Sequence, residues 1–511
     1  MVNRTGVLLA LLLALPSGLR AEAPLSAIDW LNDPDSSDYT GPVLLEPPVS
    51  SSARKPKIRV TPLDSGGKPV GLVPGSVTGL PANLWAGSEV EQLTTLIRTA
   101  RIRDFPALQS LFFTLLLAET NPPPGEEDAE RLLLARLDRL IDLGAVDPAR
   151  ELVKAAGPGR NAARFARWFD SSLLTGDEDR SCALLMEKPH LAPSLAARIF
   201  CTARTGDWAG AMLLLESARA LDLLPQRDLA LLDRFVDAEL SEDARALPPP
   251  DNPDPLTFRL YETIGERLPT SDLPRAFATA DLRDVAGWKA QIEAAERLVR
   301  SGALAPNQLL GFYTARAPAA SGGVWERVAA VQRFETALDS GSASAIGKTL
   351  PLVWTAMQDS GLEVPFATLL SERLAELDLG PGAAQDLLWH IRLLGPGYEA
   401  AAQAPHRRSA ENDFLAALAR GRPGDAPAPT PLAEAIAKGF AADARPADDL
   451  QEALAGGRLG EVILRTIVLF DTGAEGNLPE LAGALATLRR VGLEDTARRA
   501  ALQIMLLERR T

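Results

Sequence analysis

The chain has 511 residues, of which 46% are hydrophobic and 23% charged, a composition typical of a globular protein long enough for two to four units. Its formal net charge of -14 repels phosphates, which excludes nucleic acid and anionic membrane surfaces as expected partners. Aromatic residues make up only 5% while leucine and alanine dominate, which favours helices packed on helices over sheets.

Residues 1–23 have the pattern of a secretory signal peptide. Arg4 precedes an apolar run from Gly6 to Leu15, and Ala21-Glu22-Ala23 offers small residues for cleavage. The run is about ten residues long, whereas a spanning helix needs about 20, so an uncleaved anchor is the weaker alternative. We therefore expect a periplasmic protein that is soluble, without membrane insertion, after cleavage.

Residues 24–87 are rich in Pro, Gly and Ser and show no helical period. This pattern predicts an extended, partly ordered arm. Two apolar pieces within it, Lys57–Leu63 and Val70–Val73, are expected either to pair as strands or to lie along the body of the protein.

After Ser88, apolar residues recur at spacings of three and four, interrupted about every 10 to 18 residues by Gly, Pro or Asp, which predicts successive amphipathic helices. Two proline-rich stretches, Leu247–Pro255 and Gly421–Pro431, cannot continue a helix. We place unit boundaries there, which gives helical blocks of residues 88–246, 256–420 and 432–511. Adjacent blocks could still stack into one superhelix.

Internal similarity indicates the architecture. Four glycines each close a predicted helix and are followed five residues later by a small residue; the pairs are Gly144 with Ala149, Gly176 with Ser181, Gly206 with Ala211, and Gly492 with Ala497. Glycine permits a left-handed helix end, and the small residue lets the next helix lie close. The first three glycines lie roughly 30 residues apart, near the length of one helical hairpin repeat. The sequence thus predicts an all-α fold, an α-solenoid of degenerate tetratricopeptide-like hairpins.

Three stretches have the spelling of a catalytic or nucleotide-binding motif. Gly341–Thr349 resembles a phosphate-binding loop, but its spacing is one residue too long and no strand precedes it, so we interpret it as an inter-helix turn. Gly157-Pro158-Gly159 likewise follows a predicted helix. Ser65–Lys68 matches Ser-x-x-Lys, but two glycines in a proline-flanked arm do not favour the helical turn that this motif requires. We therefore predict no catalytic residue and no cofactor.

The chain has three histidines, His190, His390 and His406, and none lies at a zinc-site spacing from another His or a Cys, so no metal site is predicted. We expect His190 at the surface and His390 as an interior histidine with a hydrogen-bond partner. The acidic runs Glu126–Asp128 and Asp177–Asp179 each open a predicted helix, where negative charge favours the helix dipole.

The stretch Pro318–Trp325 allows two interpretations. Its glycines precede a helix and could expose amides to an anionic group. Alternatively, Ser321 caps the helix that carries Trp325 and Val328. The eight tryptophans are mostly set among apolar residues at helical spacing, which predicts core positions.

Cys182 and Cys201 are the only cysteines, and an oxidising compartment would permit them to pair. Their midpoint falls within the turn Pro189–Pro193 between two predicted helices. Residues equidistant from the turn of an antiparallel hairpin lie opposite each other. We expect a structural disulfide, the alternative being two buried free thiols.

Several strings resemble a family of exported alphaproteobacterial helical proteins of unassigned function: Leu25–Leu31, Arg167–Asp170, Arg198–Cys201 and Ser321–Val328. The likeness runs over most of the chain and implies export, but no activity. Some members of that family carry an antifreeze glycopeptide label, whereas this sequence lacks the repeated Thr-Ala-Ala units of such glycopeptides.

The sequence therefore leaves two classes of function. The first is a non-catalytic periplasmic helical-repeat scaffold whose concave surface binds a protein or an envelope polymer. The alternative is a cell-wall enzyme or accessory subunit that resembles the superhelical part of soluble lytic transglycosylases.

Overall fold

The computed structural model describes residues 69–102, 105–237, 245–318, 320–404 and 407–507. Across these ranges the chain forms 26 α-helices and no β-strand, which confirms the all-α prediction for them. No helix there combines the length and the hydropathy needed to cross a membrane. The signal-like segment, most of the N-terminal arm, Lys57–Leu63 and Ser65–Lys68 lie outside the described residues.

The helices of the first half are joined by short turns. In chain order they are α1 (Gly75–Thr78), α2 (Val90–Thr99), α3 (Pro106–Leu117), α4 (Glu126–Asp142), α5 (Val146–Ala156), α6 (Ala162–Thr175), α7 (Asp179–Glu187), α8 (Leu195–Arg204), α9 (Trp208–Ala220), α10 (Gln226–Val236), α11 (Pro255–Thr263), α12 (Ala278–Asp281) and α13 (Trp288–Arg300). Short 3-10 helices occupy Pro158–Arg160, Pro189–Leu191 and Arg275–Phe277.

The second half continues in the same way. Its helices are α14 (Pro306–Thr314), α15 (Val324–Asp339), α16 (Ala343–Ser360), α17 (Glu363–Leu369), α18 (Ser371–Ala375), α19 (Ala383–Leu394), α20 (Tyr398–Ala401), α21 (Ala410–Ala419), α22 (Pro431–Phe440), α23 (Asp448–Ala455), α24 (Leu459–Ala474), α25 (Leu478–Arg490) and α26 (Glu494–Leu506). Both proline-rich breaks separate helices as predicted, and the second contains only a 3-10 turn at Pro423–Asp425.

The glycine helix ends have the predicted geometry. Gly144, Gly176, Gly206 and Gly492 all have left-handed φ angles, between 78° and 93°. The residue after each glycine donates its N–H to the carbonyl five residues earlier, as Asp177 does to Ser172 at 2.9 Å. This is the Schellman end of a helix. The small residues five positions beyond the glycines are at most 1% exposed, which confirms their role in close helix packing.

The two ends of the described chain pack together. Helix α24 lies against α2, and α26 lies against α3. The backbone N–H of Gly460 donates to the carbonyl of Leu84 at 3.0 Å, and a Cβ at Gly460 would come within 2.6 Å of the Trp85 ring, so only glycine fits there. In a simple repeat array each unit touches only its neighbours. Contacts between helices nearly 400 residues apart are not a feature of such an array.

One continuous apolar core runs from Val73 to Ile504, with a small satellite cluster of Leu450, Ala453 and Val462. The three helical blocks named from the sequence contribute to this same core. Burial of this shared apolar surface is the main favourable term in folding.

The last piece of the N-terminal arm lies along the body, one of the two expected placements. Val70 forms an isolated antiparallel bridge with Thr120, and Val73 bridges Ala118. The buried Arg136 donates to the carbonyls of Leu116, Val70 and Ala118 at 2.8 to 3.1 Å, so one guanidinium holds the arm and the end of α3 together. Burial lowers the pKa of Arg136 to about 10, which leaves it charged at neutral pH.

Candidate functional site

Helix α9 presents an exposed apolar face. Trp208, Met212 and Leu213 are 48%, 48% and 68% exposed. Trp208 and Met212 are four residues apart and lie one above the other, whereas Leu213 lies about 100° further round the helix, so the exposed face is broad. Leu221 and Leu223 follow in the next turn at 68% and 57%. With Met186 of α7, six of the eight exposed large hydrophobic side chains in the described ranges fall between residues 186 and 223. Their concentration in one segment distinguishes them from scattered surface residues.

The inner side of α9 fixes this face in place. Only Ala211, Leu215 and Ala218 of the helix are buried, and they pack it against its neighbours α8 and α10. The Trp208 ring rests against the Phe235 ring, with centroids 6.0 Å apart, and leaves about half of its surface open. The face is therefore held by a packed helix pair.

Carboxylates surround the apolar side chains. Asp207 caps the start of α9 by accepting from Gly210 N–H at 2.8 Å, Glu216 lies on the helix, and Asp222 follows its end with a left-handed φ of 53°. Arg219 is shared between Glu216 and Asp233, so it does not neutralise the group. The edge of the face carries net negative charge.

No model of a known protein family matches this chain, and neither the curated proteins nor the solved structures include a similar one. The geometry of its own residues is therefore the basis for a functional assignment.

The predicted disulfide is present directly beside the α9 face. Cys182 of α7 and Cys201 of α8 are bonded, with their Cα atoms 4.8 Å apart and both side chains fully buried. The bond joins α7, which carries Met186, to α8, the helix against which α9 packs. Disulfides persist in oxidising compartments, which agrees with the expected export.

The prediction that the tryptophans lie mostly in the core is confirmed for five of the seven in the described ranges, and Trp208 of the exposed face is an exception. Trp85, Trp168, Trp288, Trp354 and Trp389 are each less than 10% exposed, whereas Trp208 is not. Apolar residues occur on nearly every side of α9, a pattern that predicts a helix buried all round. The excess of apolar residues on α9 was the feature of the sequence that could have indicated an exposed apolar face, because a helix at the surface needs apolar residues on only one side.

Within the stretch Pro318–Trp325, of which residue 319 is outside the described ranges, residues 320–323 are exposed and Val324 is buried. Helix α15 begins at Val324 with Gly323 as its N-cap and no side-chain cap, so the prediction that Ser321 caps this helix is wrong. The amides of Trp325 and Glu326 donate to the carbonyls of Gly322 and Gly323, both at 3.2 Å.

Of the stretch Gly341–Thr349, which was predicted to be an inter-helix turn, only Gly341 and Ser342 lie in the turn, because α16 begins at Ala343. Ser342 caps α16 by accepting from Ala345 N–H at 3.3 Å, and Gly157–Gly159 leads into a 3-10 turn between α5 and α6. His190 is exposed, whereas the half-buried His390 bonds Asn412 at 3.0 Å. His406 lies outside the described residues, within which no group of three or more His, Cys, Asp or Glu side chains is arranged to hold a metal ion.

Among the acidic runs, Glu126–Asp128 occupies the first turn of α4 as predicted. Glu178, in the middle of the second run, has a side chain that is only 1% exposed. Its Oε1 accepts a hydrogen bond at 3.0 Å from Arg259, which lies 81 residues later in the chain. Only the fold brings these two residues together. The local helix-dipole interpretation therefore missed a buried ion pair that joins α11 to the start of α7.

Proposed function

We propose that this protein is a non-catalytic scaffold of helical hairpins that acts in the periplasm and binds a protein partner through the α9 face. The observation that carries the proposal is the concentration of exposed Trp208, Met212, Leu213, Leu221 and Leu223 on one rigid segment. Large exposed apolar patches typically mark interaction sites. Tryptophan is also among the residues most often found at the energetic centre of protein interfaces.

The charges around the face favour one kind of partner. Asp207, Glu216 and Asp222 supply more negative charge than Arg219 offsets. Complementary charge steers association and excludes wrong partners. The expected partner segment is an amphipathic helix with a leucine-type apolar side flanked by Lys or Arg.

The test uses two synthetic amphipathic peptides with the same leucine pattern, one with lysine and one with glutamate at the polar positions. We expect the lysine peptide to bind the purified protein, to shift Trp208 fluorescence to shorter wavelength, and to bind more weakly as salt rises. Leu213→Glu should weaken this binding about tenfold, or about 1.4 kcal/mol. Leu352→Glu, at a site 61% exposed on α16, is the matched control.

The variants and the two peptides distinguish binding at the α9 face from binding elsewhere. Loss of the fluorescence shift in Trp208→Phe would locate the peptide on α9. Equal binding of the two peptides, or equal effects of Leu213→Glu and Leu352→Glu, would contradict the proposal.

The alternative, a cell-wall enzyme, is favoured by one observation at a different place. Asp170 of α6 is half-buried, and burial together with the nearby Asp254 raises its pKa to about 7. A carboxylic acid that is still partly protonated at neutral pH is the type of group that protonates a glycosidic oxygen. Clearing of purified peptidoglycan in a zymogram by the wild-type protein, and not by Asp170→Asn, would replace the scaffold proposal with this one.

A further inference from the structure

One stretch of the N-terminal arm, which lies outside the described residues, has a sequence that matches the chemistry of the α9 face. Arg54–Val60 contains four Lys or Arg and two β-branched apolar residues, and no Asp or Glu occurs between residues 47 and 63. This concentration of cations contrasts with the formal net charge of -14 of the whole chain. We call Arg54–Val60 the basic segment.

The charge around the α9 face is of the opposite sign. Residues 205–228, which carry most of the face, contain four Asp or Glu and two Arg. Both arginines are already paired with carboxylates, Arg219 with Glu216 and Arg227 with Asp228. Cations brought to this face therefore meet net negative charge, and such complementarity determines which segment binds.

The same charge excludes the first part of the arm as an occupant of the face. Residues 24–46 contain five Asp or Glu and no Lys or Arg. Like charges brought together across an interface weaken binding. Within the arm, only the basic segment combines positive charge with apolar side chains.

The arm is long enough to reach α9. The described chain begins at the exposed Pro69, and the next residue, Val70, accepts a hydrogen bond from Arg136 of α4. From α4, successive helix contacts lead through α6, α7 and α8 to α9. Axes of packed helices are 8–10 Å apart, so this path is roughly 30 to 40 Å long. The basic segment lies 9 to 15 residues before Pro69, and extended chains of these lengths span up to about 30 to 50 Å.

The order of residues in the basic segment suits a broad apolar face bordered by carboxylates. Side chains alternate along an extended chain, so Ile58 and Val60 share one side and Lys57 and Arg59 share the other. The apolar pair can contact Leu213 and its neighbours. The long Lys and Arg side chains can still place their charged ends near the surrounding carboxylates.

From this match of charge, pattern and reach we propose that the basic segment binds the α9 face of its own chain and that a partner must displace it. The inference rests on the function proposed for that face, because the basic segment has the same chemistry as the expected partner. A short tether gives the segment an effective concentration of the order of millimolar, so a weak contact suffices to occupy the face. The arm is then a competitive inhibitor that belongs to the chain itself.

Disulfide trapping tests the contact without any added peptide. The two native cysteines are bonded to each other, so a new pair can be introduced alone. Under mild oxidation the purified protein with Ile58→Cys and Leu213→Cys should form the new bond at least about tenfold more than the protein with Ile58→Cys and Leu352→Cys. Leu352, 61% exposed on α16, is the matched control. Masses of proteolytic fragments identify the bonded pair.

Competition tests the consequence for the partner. Lys57→Glu with Arg59→Glu should bind the lysine peptide about fivefold more tightly than the wild-type protein does, the ratio expected if the arm occupies the face about four-fifths of the time. Arg445→Glu with Arg490→Glu, at two exposed arginines, changes the net charge equally and should not tighten binding to the same extent.

The two experiments distinguish this inference from the proposed function. Equal trapping at residues 213 and 352, or a 58–213 bond that joins two molecules, would overturn the inference, while binding of the lysine peptide at α9 would leave the proposed function intact. Equal tightening in the two charge variants would overturn the competition. Trapping at residue 213 without lysine-peptide binding to any variant would contradict the proposed function, and with it the inhibitory role of the arm.

Discussion

Ala107 donates its backbone N–H to the side-chain oxygen of Gln503, 3.1 Å away and 396 residues later in the chain. Ala107 lies in the first turn of α3, whose N-cap residue, Phe105, has no side chain that can accept a hydrogen bond. The buried Gln503 of α26 therefore supplies from a distance the acceptor that a Ser or Asp cap normally provides. The last helix of the protein thereby stabilises the start of one of the first.

Removal of this remote cap should destabilise the junction between the two chain ends. Gln503→Ala is expected to lower the free energy of unfolding by about 1 to 2 kcal/mol, because the N–H of Ala107 stays buried without an acceptor. Denaturant unfolding followed by circular dichroism measures this. Gln403→Ala, at an exposed glutamine, is the control. Equal denaturant midpoints for Gln503→Ala and Gln403→Ala would show that Gln503 does not cap α3.

The disulfide between Cys182 and Cys201 can be tested by alkylation of the thiols. Alkylation of the denatured, unreduced protein should add no label, and alkylation after reduction should add two, as mass measurement shows. Replacement of both cysteines by alanine should cost roughly 3 kcal/mol, since a loop of about 20 residues is no longer closed in the unfolded chain. Uptake of two labels without reduction would disprove the bond.

The fully buried Arg498 should be among the most sensitive positions. Its guanidinium donates to Glu494 at 2.9 Å and to Glu399 at 2.6 Å, and Gly421 packs against it so closely that a Cβ there would lie 2.1 Å from Nη2. Arg498→Met would leave the buried Glu494 with Arg489 as its remaining cation and would remove this cation from the half-buried Glu399, so we expect a loss of about 3 kcal/mol.

The exposed Arg490 provides the control for this prediction. Arg490→Met should change the unfolding midpoint little, because an exposed arginine adds little to stability. Similar midpoints for the Arg490 and Arg498 variants would contradict a stabilising role for the buried cluster.

Because burial raises the pKa of Asp170, we expect the stability of the protein to depend on pH. Its pKa rises from 3.8 to about 7 in the folded protein, so between these values the folded chain holds a proton that the unfolded chain releases. The stabilisation that this proton provides is complete below pH 3.8 and is lost as pH rises through about 7.

Asp170→Asn mimics the protonated form at every pH. The variant should match the wild-type protein near pH 4 and exceed its stability above pH 7 by at most about 4 kcal/mol, the value for a pKa difference of about three units, and by less to the extent that solvent screens the half-buried carboxyl. Unfolding midpoints across this range measure the difference, with the exposed Asp443→Asn as the control. A constant difference at all pH values would show that Asp170 does not titrate abnormally.

Contacts within about one helical turn account for the features that could be predicted from the amino-acid sequence. The helical period, the proline-rich breaks and the glycine ends at Gly144, Gly176, Gly206 and Gly492 depend on neighbours within about one turn, so the sequence predicts them directly. The disulfide was also predictable, because Cys182 and Cys201 lie symmetrically about a local turn. These features define the helices and the hairpins.

Which helix surfaces are covered depends on the packing of helices that are distant in the chain. Trp208 was expected in the core with the other tryptophans, but the neighbouring helices cover only the opposite side of α9. Likewise, Glu178 meets Arg259, and Ala107 meets Gln503, through contacts between residues far apart in the chain. Helical periodicity identifies which side of a helix is apolar, but burial depends on what packs against that side, and in this protein long-range packing decides it.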